Sequence, residues 1–235
     1  MQDFSGAFRL AFEMIASGDA ALVEIVLLSL RVSLSAVVLA CLLGLPIGAA
    51  IAVTRFPGRS ALIVLLNTMM GLPPVAIGLL LYLLLSNAGP LGILNLLYTP
   101  AAMIIAQAVL VTPIIAALAR QVIEDLNAEY DEQLRSLGVS RPQAIATLLW
   151  DGRYTLLTVA LAGFGRAIAE VGAVIIVGGN IDRVTRVMTT AIALETSKGD
   201  LALALALGII LVGLAIIVNS GVMTMRATAA RSAYA

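Results

Sequence analysis

Histidine is absent from the 235-residue chain, and cysteine occurs once. Without histidine there is no imidazole for general acid–base work and most zinc and haem ligation falls away. Cys41 can form no intramolecular disulfide, and in its run of Leu and Ala it reads as a small apolar packing residue. Charged residues are also scarce, at 12% of the chain, roughly half the usual share. Positive and negative charges balance to a net of zero, so no overall field attracts an acidic or basic partner. No G-x-x-x-x-G-K-[ST] occurs, which excludes a P-loop nucleotide site in this chain.

What fills the space is apolar. Hydrophobic residues make up 61% of the chain and the mean hydropathy is +1.06, values that belong to a chain solvated mostly by lipid. A soluble globule, a nucleic-acid binder and a disordered tail are excluded. A hydrocarbon core of about 30 Å takes about 20 helical residues, and five segments qualify: Ile25 to Val53, Ala61 to Leu85, Ala101 to Ile123, Tyr154 to Val177 and Leu201 to Met223. Arg55, Arg59, Arg120, Arg135, Arg141, Arg153, Arg226 and Arg231 fall on one side of these spans. Arg9, Arg183, Arg186 and Lys198 fall on the other. The richer side is cytoplasmic by the positive-inside rule, which puts the N-terminus outside and the C-terminus inside.

Residues 1–20 form a separate element. Phe4, Phe8, Phe12 and Ile15 recur at helical spacing before Ser17-Gly18-Asp19 breaks the pattern. A secretory signal would have a basic start, an unbroken apolar region and a small-residue cleavage site. The expectation is a retained amphipathic helix, lying on the outer membrane surface or packed on the bundle. Residues 21–235 form a single transmembrane domain.

The longest polar connection runs from Glu124 to Arg153. Asn127 is a candidate N-cap for a helix over 128–137, and Gly138 is its stop. Ser140-Arg141-Pro142-Gln143 then restarts a helix, with Ser at the cap, Pro in the first turn and Gln completing a capping box. Ala144, Ile145, Leu148 and Leu149 give this helix an apolar face. Two short helices joined by a glycine elbow make a stiff cytoplasmic knob.

Glu132-Gln133-Leu134-Arg135-Ser136-Leu137-Gly138 resembles the E-A-A-x-x-x-G motif of type I ABC importer permeases, with Gln and Leu in place of the two alanines. The resemblance extends over residues 20 to 225. Gly71-Leu72-Pro73-Pro74, Gly78-Leu79-Leu80-Leu81 and Gly89-Pro90-Leu91-Gly92 are similar to the molybdate and sulfate branch. Gly163 to Gly172, Gly178-Gly179-Asn180-Ile181 and Thr185 to Ile192 most resemble tungstate permease subunits. The resemblance implies an all-α polytopic inner-membrane protein of a prokaryote: five transmembrane helices, an N-terminal surface helix and a cytoplasmic coupling helix. It implies a homodimer with the pathway at its two-fold interface, two P-loop ATPase subunits beneath, and an extracytoplasmic oxyanion-binding protein. ATP and Mg then belong to the partner subunit, and this chain carries no cofactor and no catalytic residue. Glu132, Gly138, Ser140, Pro142 and Gln143 are the residues implied in coupling. The implied cargo is an oxyanion, tungstate first, with molybdate or sulfate as alternatives.

Inside the spans, Arg166 and Glu170 stand i, i+4 on the fourth. A charge at a helix centre costs about 2.5–3.5 kcal/mol on insertion scales, so either they neutralise each other as a structural pair or Arg166 flanks an anion path. Asn67, Gln107 and Thr112 are hydrogen-bonding glue between helices or pathway lining. Pro73-Pro74 frees carbonyls within the second span and is expected to kink it beside a cavity. Arg183 and Arg186 are surface charges or contacts for a delivered oxyanion, and Thr185 to Leu194 is expected to dip towards the bundle as part of an outer gate. Two rival classes remain. An intramembrane protease has no histidine to use, and Tyr130-Asp131 lies in the knob rather than in a span; a passive channel would leave the knob without a partner.

Overall fold

The computed structural model describes residues 4–233, and the remaining residues 1–3 and 234–235 fall outside the description, as do the side chains of Arg226 and Arg231. Ten α-helices and one 3-10 turn, Gly92–Leu94, make up the described chain. The first helix, α1 (Phe4–Ser17), buries Ala11 and leaves Leu10 and Phe12 exposed. It stops at Gly18, which takes a positive φ of 63°, and Asp19 Oδ1 then accepts the Leu22 N–H at 3.0 Å to cap the next helix.

That next helix, α2 (Ala20–Val53), has 34 residues. Its uncharged part after Arg31 rises roughly 33 Å, close to the thickness of the hydrocarbon core. The second expected span is two helices, α3 (Arg59–Met69) and α4 (Pro74–Leu85). The prolines therefore do not kink a continuous helix. Pro73 is the N-cap of α4 and Pro74 its first residue, the position where a missing N–H and a fixed φ cost least. The Pro73 carbonyl accepts from Ala76 at 3.1 Å and from Ile77 at 3.2 Å.

The third span is α5 (Pro100–Ser136), 37 residues with Pro113 inside it. It runs past Ile123 into the polar connection without a break. Asn127 is thus a mid-helix residue rather than the expected cap. The following helix, α6 (Arg141–Asp151), leads into α7 (Arg153–Ile168), and α8 (Gly172–Gly178) follows an interruption at 169–171. The fourth expected span is in this way also two helices. The chain ends with α9 (Met188–Lys198) and α10 (Leu201–Ala233). Among the described residues three helices are long and apolar enough to cross a membrane, and up to five spans result if each interrupted pair counts as one.

The chain packs as two compact units. One takes the residues up to Ser35, Pro73–Gln107 and Ala167–Val218; the other takes Ala36–Leu72, Ala108–Arg166 and the chain from Asn219 on. In the first unit α4 meets α8 at Gly78, where an added Cβ would lie 2.8 Å from the Ala173 Cα. The Tyr98 N–H donates to the Val177 carbonyl at 2.9 Å, and the Tyr98 ring covers Gly179. In the second unit Gly44 and Gly48 form a G-x-x-x-G face on α2 that lies against Ile115, Ala116 and Ala119 of α5. In lipid no hydrophobic drive pulls helices together, so close backbone approach supplies the contact energy.

A Cβ at Gly48 would stand 2.4 Å from the Ala116 carbonyl oxygen and 2.9 Å from the Arg120 nitrogen. Both are backbone atoms that cannot turn aside, so Gly48→Ala lowers the melting temperature of the detergent-purified protein. Gly213→Ala on α10 meets nothing within 4 Å and raises it, by about 1 kcal/mol of helix propensity. Thermal unfolding followed by size-exclusion fluorescence measures both.

Candidate coupling and translocation sites

The elbow between α5 and α6 is built from local hydrogen bonds. Gly138 takes a φ of +66°; its N–H donates to the Arg135 carbonyl and the Val139 N–H to the Leu134 carbonyl, each at 3.0 Å. Those two bonds are a Schellman motif, which closes the end of α5. Two residues on, the Gln143 Oε1 accepts the Ser140 N–H at 3.0 Å and the Ser140 hydroxyl at 2.6 Å. Pro142 sits in the first turn of α6. The sequence reading of Gly138, Ser140, Pro142 and Gln143 thus agrees with the geometry of the elbow. Glu132 lies exposed on the last turns of α5.

The inner face of α6 buries Ala144 and Leu148, while Ile145 and Leu149 are half-buried. On the outside, Leu137 is 77% and Trp150 71% exposed. Large apolar side chains so exposed at a stiff corner offer a docking face. At the α6–α7 corner Gly152 lets the chain close on α5, where an added Cβ would be 2.9 Å from Leu126.

Beneath this elbow lies a charge network that the sequence does not display. Glu124 bridges two arginines, accepting from Arg59 Nη2 at 2.8 Å and from Arg120 Nη1. Arg59 Nε also donates to the Ile51 carbonyl at 2.8 Å, which ties the α2–α3 turn to α5. A hollow of about 600 Å³ opens here, with Arg55, Arg59, Arg135 and Arg141 facing Glu124 and Asp131. Asp131 pairs with Arg135 at 2.9 Å.

The first unit holds a buried polar cluster. Ser29 and Ser33 of α2, Gln107 of α5 and Thr189 of α9 surround a space of about 10 Å³, the size of one water. Ser29 Oγ accepts the Met188 N–H at 2.7 Å and so caps α9. Gln107 Nε2 donates to the Ala167 carbonyl at 3.0 Å, and Gln107 Oε1 is buried without a protein partner. Glu170 lies past the end of α7 rather than on it. That helix ends at Ile168, which puts Arg166 in its last turn and Glu170 in the interruption that follows. Glu170 is 3% exposed; its carboxylate accepts the Ala173 N–H at 3.1 Å, and its carbonyl accepts the Thr189 hydroxyl at 2.8 Å. It therefore serves the interruption by capping α8 and holding α9. Arg166, in the last turn of α7, is likewise engaged.

In the Thr185 to Leu194 stretch, Thr185, Met188, Thr190 and Ala191 are fully buried. Arg186 pairs with Asp182 at 2.9 Å and is only 20% exposed. Asn67 and Pro73 are exposed, and Thr112 bonds within its own helix to the Ala108 carbonyl. None of these three joins the polar cluster. Arg31, to which the sequence reading gave no site role beyond its place in the Ser29–Ser33 stretch opening the first span, lines a second hollow of about 600 Å³ with Glu24 and Arg183. A charge within an apolar segment was the signal that could have found it. Among the described residues no group of three or more Cys, Asp or Glu is placed to hold a metal ion.

A stiff amphipathic corner and a buried polar cluster on a chain of long apolar helices are the features that the comparisons with known proteins place in a family. Residues 44–223 match the family described as binding-protein-dependent transport system inner membrane component, and the chain belongs to that family. It is 36% identical over 226 residues to a tungstate uptake system permease protein of Peptoclostridium acidaminophilum, covering 96% of this chain and 99% of the relative. A probable anion ABC transporter permease protein of Haloferax volcanii is 39% identical over 204 residues, 85% of this chain and 88% of the relative. A tungstate uptake system permease protein of Campylobacter jejuni is 41% identical over 155 residues, 66% and 65% of the two chains. The protein is a multi-pass inner-membrane permease subunit of an ABC importer, not an enzyme.

Removing the shared carboxylate strands two partly buried arginines. Glu124→Ala lowers the melting temperature of the purified protein, and Arg59→Gln added to it recovers part of the loss. A double-mutant cycle in thermal unfolding reads the coupling between the two positions.

Proposed function

We propose that this permease carries tungstate into the cell, with two copies of the chain forming the pathway and the α5–α6 elbow receiving force from an ATPase subunit. The observation that carries the reading is the doubly capped elbow, rigid by its own hydrogen bonds and apolar on its outer side, in a chain whose relatives named for tungstate uptake match it at 36% and 41% identity. The basic side of the spans, with the elbow and the C-terminus, is cytoplasmic, and α1 lies on the outer surface. Neither ATP nor Mg binds this chain; both belong to the partner.

Two faces await company. None of the residues of α3 is buried, and α10 exposes Val212, Ile216 and Ile217. Such faces suit lipid or a second copy, and a five-span chain supplies half a pathway. Closure of the ATPase pair draws the two elbows together, and α5, continuous from the elbow to the polar cluster, carries the displacement into the membrane. On the outer side Arg31 and Arg183 attract the oxyanion that a binding protein releases, with Glu24 limiting how tightly it is held. Glu132, Gly138, Ser140, Pro142 and Gln143 form the coupling corner. Arg166, Glu170, Pro73, Pro74, Asn67 and Arg186 remain the candidate pathway and gate positions, of which Glu170 is the best buried.

Elemental mass spectrometry of a deletion strain fed trace tungstate and molybdate tests the cargo. Loss of cellular tungsten alone, restored by the wild-type gene, is the expected result; loss of molybdenum as well widens the cargo to both anions, and no change in either overturns the oxyanion. The elbow has its own test in the same strain. The Gly138 backbone is left-handed but nothing lies within 4 Å of an added Cβ, so the cost of substitution is conformational. Gly138→Asn keeps most uptake, because asparagine tolerates this conformation. Gly138→Val and Gly138→Glu lose it while the chain stays in the membrane.

A further inference from the structure

Arg153 opens α7 between two aromatic rings. Its guanidinium carbon lies 4.6 Å from the centroid of the Trp150 ring and 4.5 Å from that of Tyr154. Nη1 donates to the Trp150 carbonyl at 2.6 Å and Nη2 to the Tyr154 hydroxyl at 3.4 Å. A guanidinium has five N–H donors, so most remain available, and among the described residues no carboxylate pairs with the group. The rings hold the guanidinium in one orientation, so a ligand meets it with little ordering left to do.

From this cation an apolar groove of about 540 Å³ runs between α2 and α7, walled by Val37, Val38, Leu42, Pro46, Leu157 and Ala160. Val38 is 57% and Leu42 66% exposed, so the groove opens sideways into the surrounding medium. From Pro46 to Val37 it rises roughly 13 Å along α2, against about 15 Å for one leaflet of the hydrocarbon core. Trp150 and Tyr154 are the residue types that gather at the boundary between hydrocarbon and water.

We propose that this groove binds one anionic phospholipid, its phosphate on Arg153 and one acyl chain along α2. The proposal rests on the α6–α7 corner lying at a membrane boundary and is independent of the identity of the transported anion. Charge complementarity selects the occupant. A second copy of the chain would have to bring an acid to Arg153, and the unsheltered apolar helices α3, α4 and α10 carry none. A zwitterionic lipid brings its own cation close to the arginine.

The test is native mass spectrometry of the full chain, purified in mild detergent and incubated with phosphatidylglycerol or phosphatidylcholine of identical acyl chains. Wild type retains phosphatidylglycerol about fivefold better than phosphatidylcholine, the advantage one arginine confers near an anionic lipid. Arg153→Gln abolishes that preference, and Ala160→Trp, which fills the groove, lowers retention of both lipids. Leu42→Trp does the same from the opposite wall and stands in if Ala160→Trp does not fold. Equal retention of the two lipids by wild type, or an unchanged preference in Arg153→Gln, overturns the proposal. So does a groove-filling variant that keeps its lipid but shifts from dimer to monomer, which would give the groove to a second copy. Tungsten uptake can fail without touching any of these readouts.

Discussion

A peptide group in hydrocarbon has no water to bond to, and each one left unpaired costs several kcal/mol. Continuous helices meet that demand without help, and most of this chain is helix. The demanding places are the two interruptions at apolar depth. At the first, the Pro73 carbonyl is taken up by Ala76 and Ile77, and the prolines themselves bring no N–H to satisfy. At the second, Glu170 supplies a carboxylate to the Ala173 N–H and its carbonyl receives the Thr189 hydroxyl. The start of α9 depends on a residue 159 positions away, Ser29, for its Met188 N–H. The buried polar residues of the first unit therefore do for broken backbone what continuous helix does elsewhere.

How much of this was legible follows from how local each cause is. The Gly138 stop and the Ser140–Gln143 cap depend on residues within one turn, and they read correctly from sequence. Apolar length located three single-helix spans and two segments that prove to be bent helix pairs; it could not separate one helix from two, since hydropathy sums over a window and takes no account of continuity. Pro73-Pro74 carried the information, because proline at a first helical position is as natural as proline at a kink. Asn127 misled for the converse reason: a good cap residue is also a tolerable helix residue when packing holds the helix on either side. The Glu124 bridge and the Ser29–Met188 bond join residues far apart in the chain, and no local pattern announces them. The G-x-x-x-G spacing of Gly44 and Gly48 is local and visible in the sequence, but the sequence reading did not use it; the close approach to α5 emerges only in the structure.

The charges divide into two populations. Arg9, Arg135, Arg186 and Lys198 each find an acid three or four residues away, which neutralises them within their own helix. Arg31, Arg55, Arg141 and Arg153 have no such partner. Arg55, Arg141 and Arg153 stand at the ends of the apolar stretches and Arg31 within the first, so a chain of zero net charge still carries local positive potential.

The continuity of α5 from Pro100 to Ser136 has a mechanical meaning. A rod of 37 residues is roughly 55 Å long, and a tilt of one degree about one end moves the other by about 1 Å, a distance that separates a hydrogen bond from none. The rod has a compliant point. Pro113 brings no N–H for the Val109 carbonyl and crowds it, so bending concentrates there, between the polar cluster and the elbow. Stiffness at that residue sets how far an angular displacement at the Ser136 end is carried along the helix and how much is absorbed as flexure.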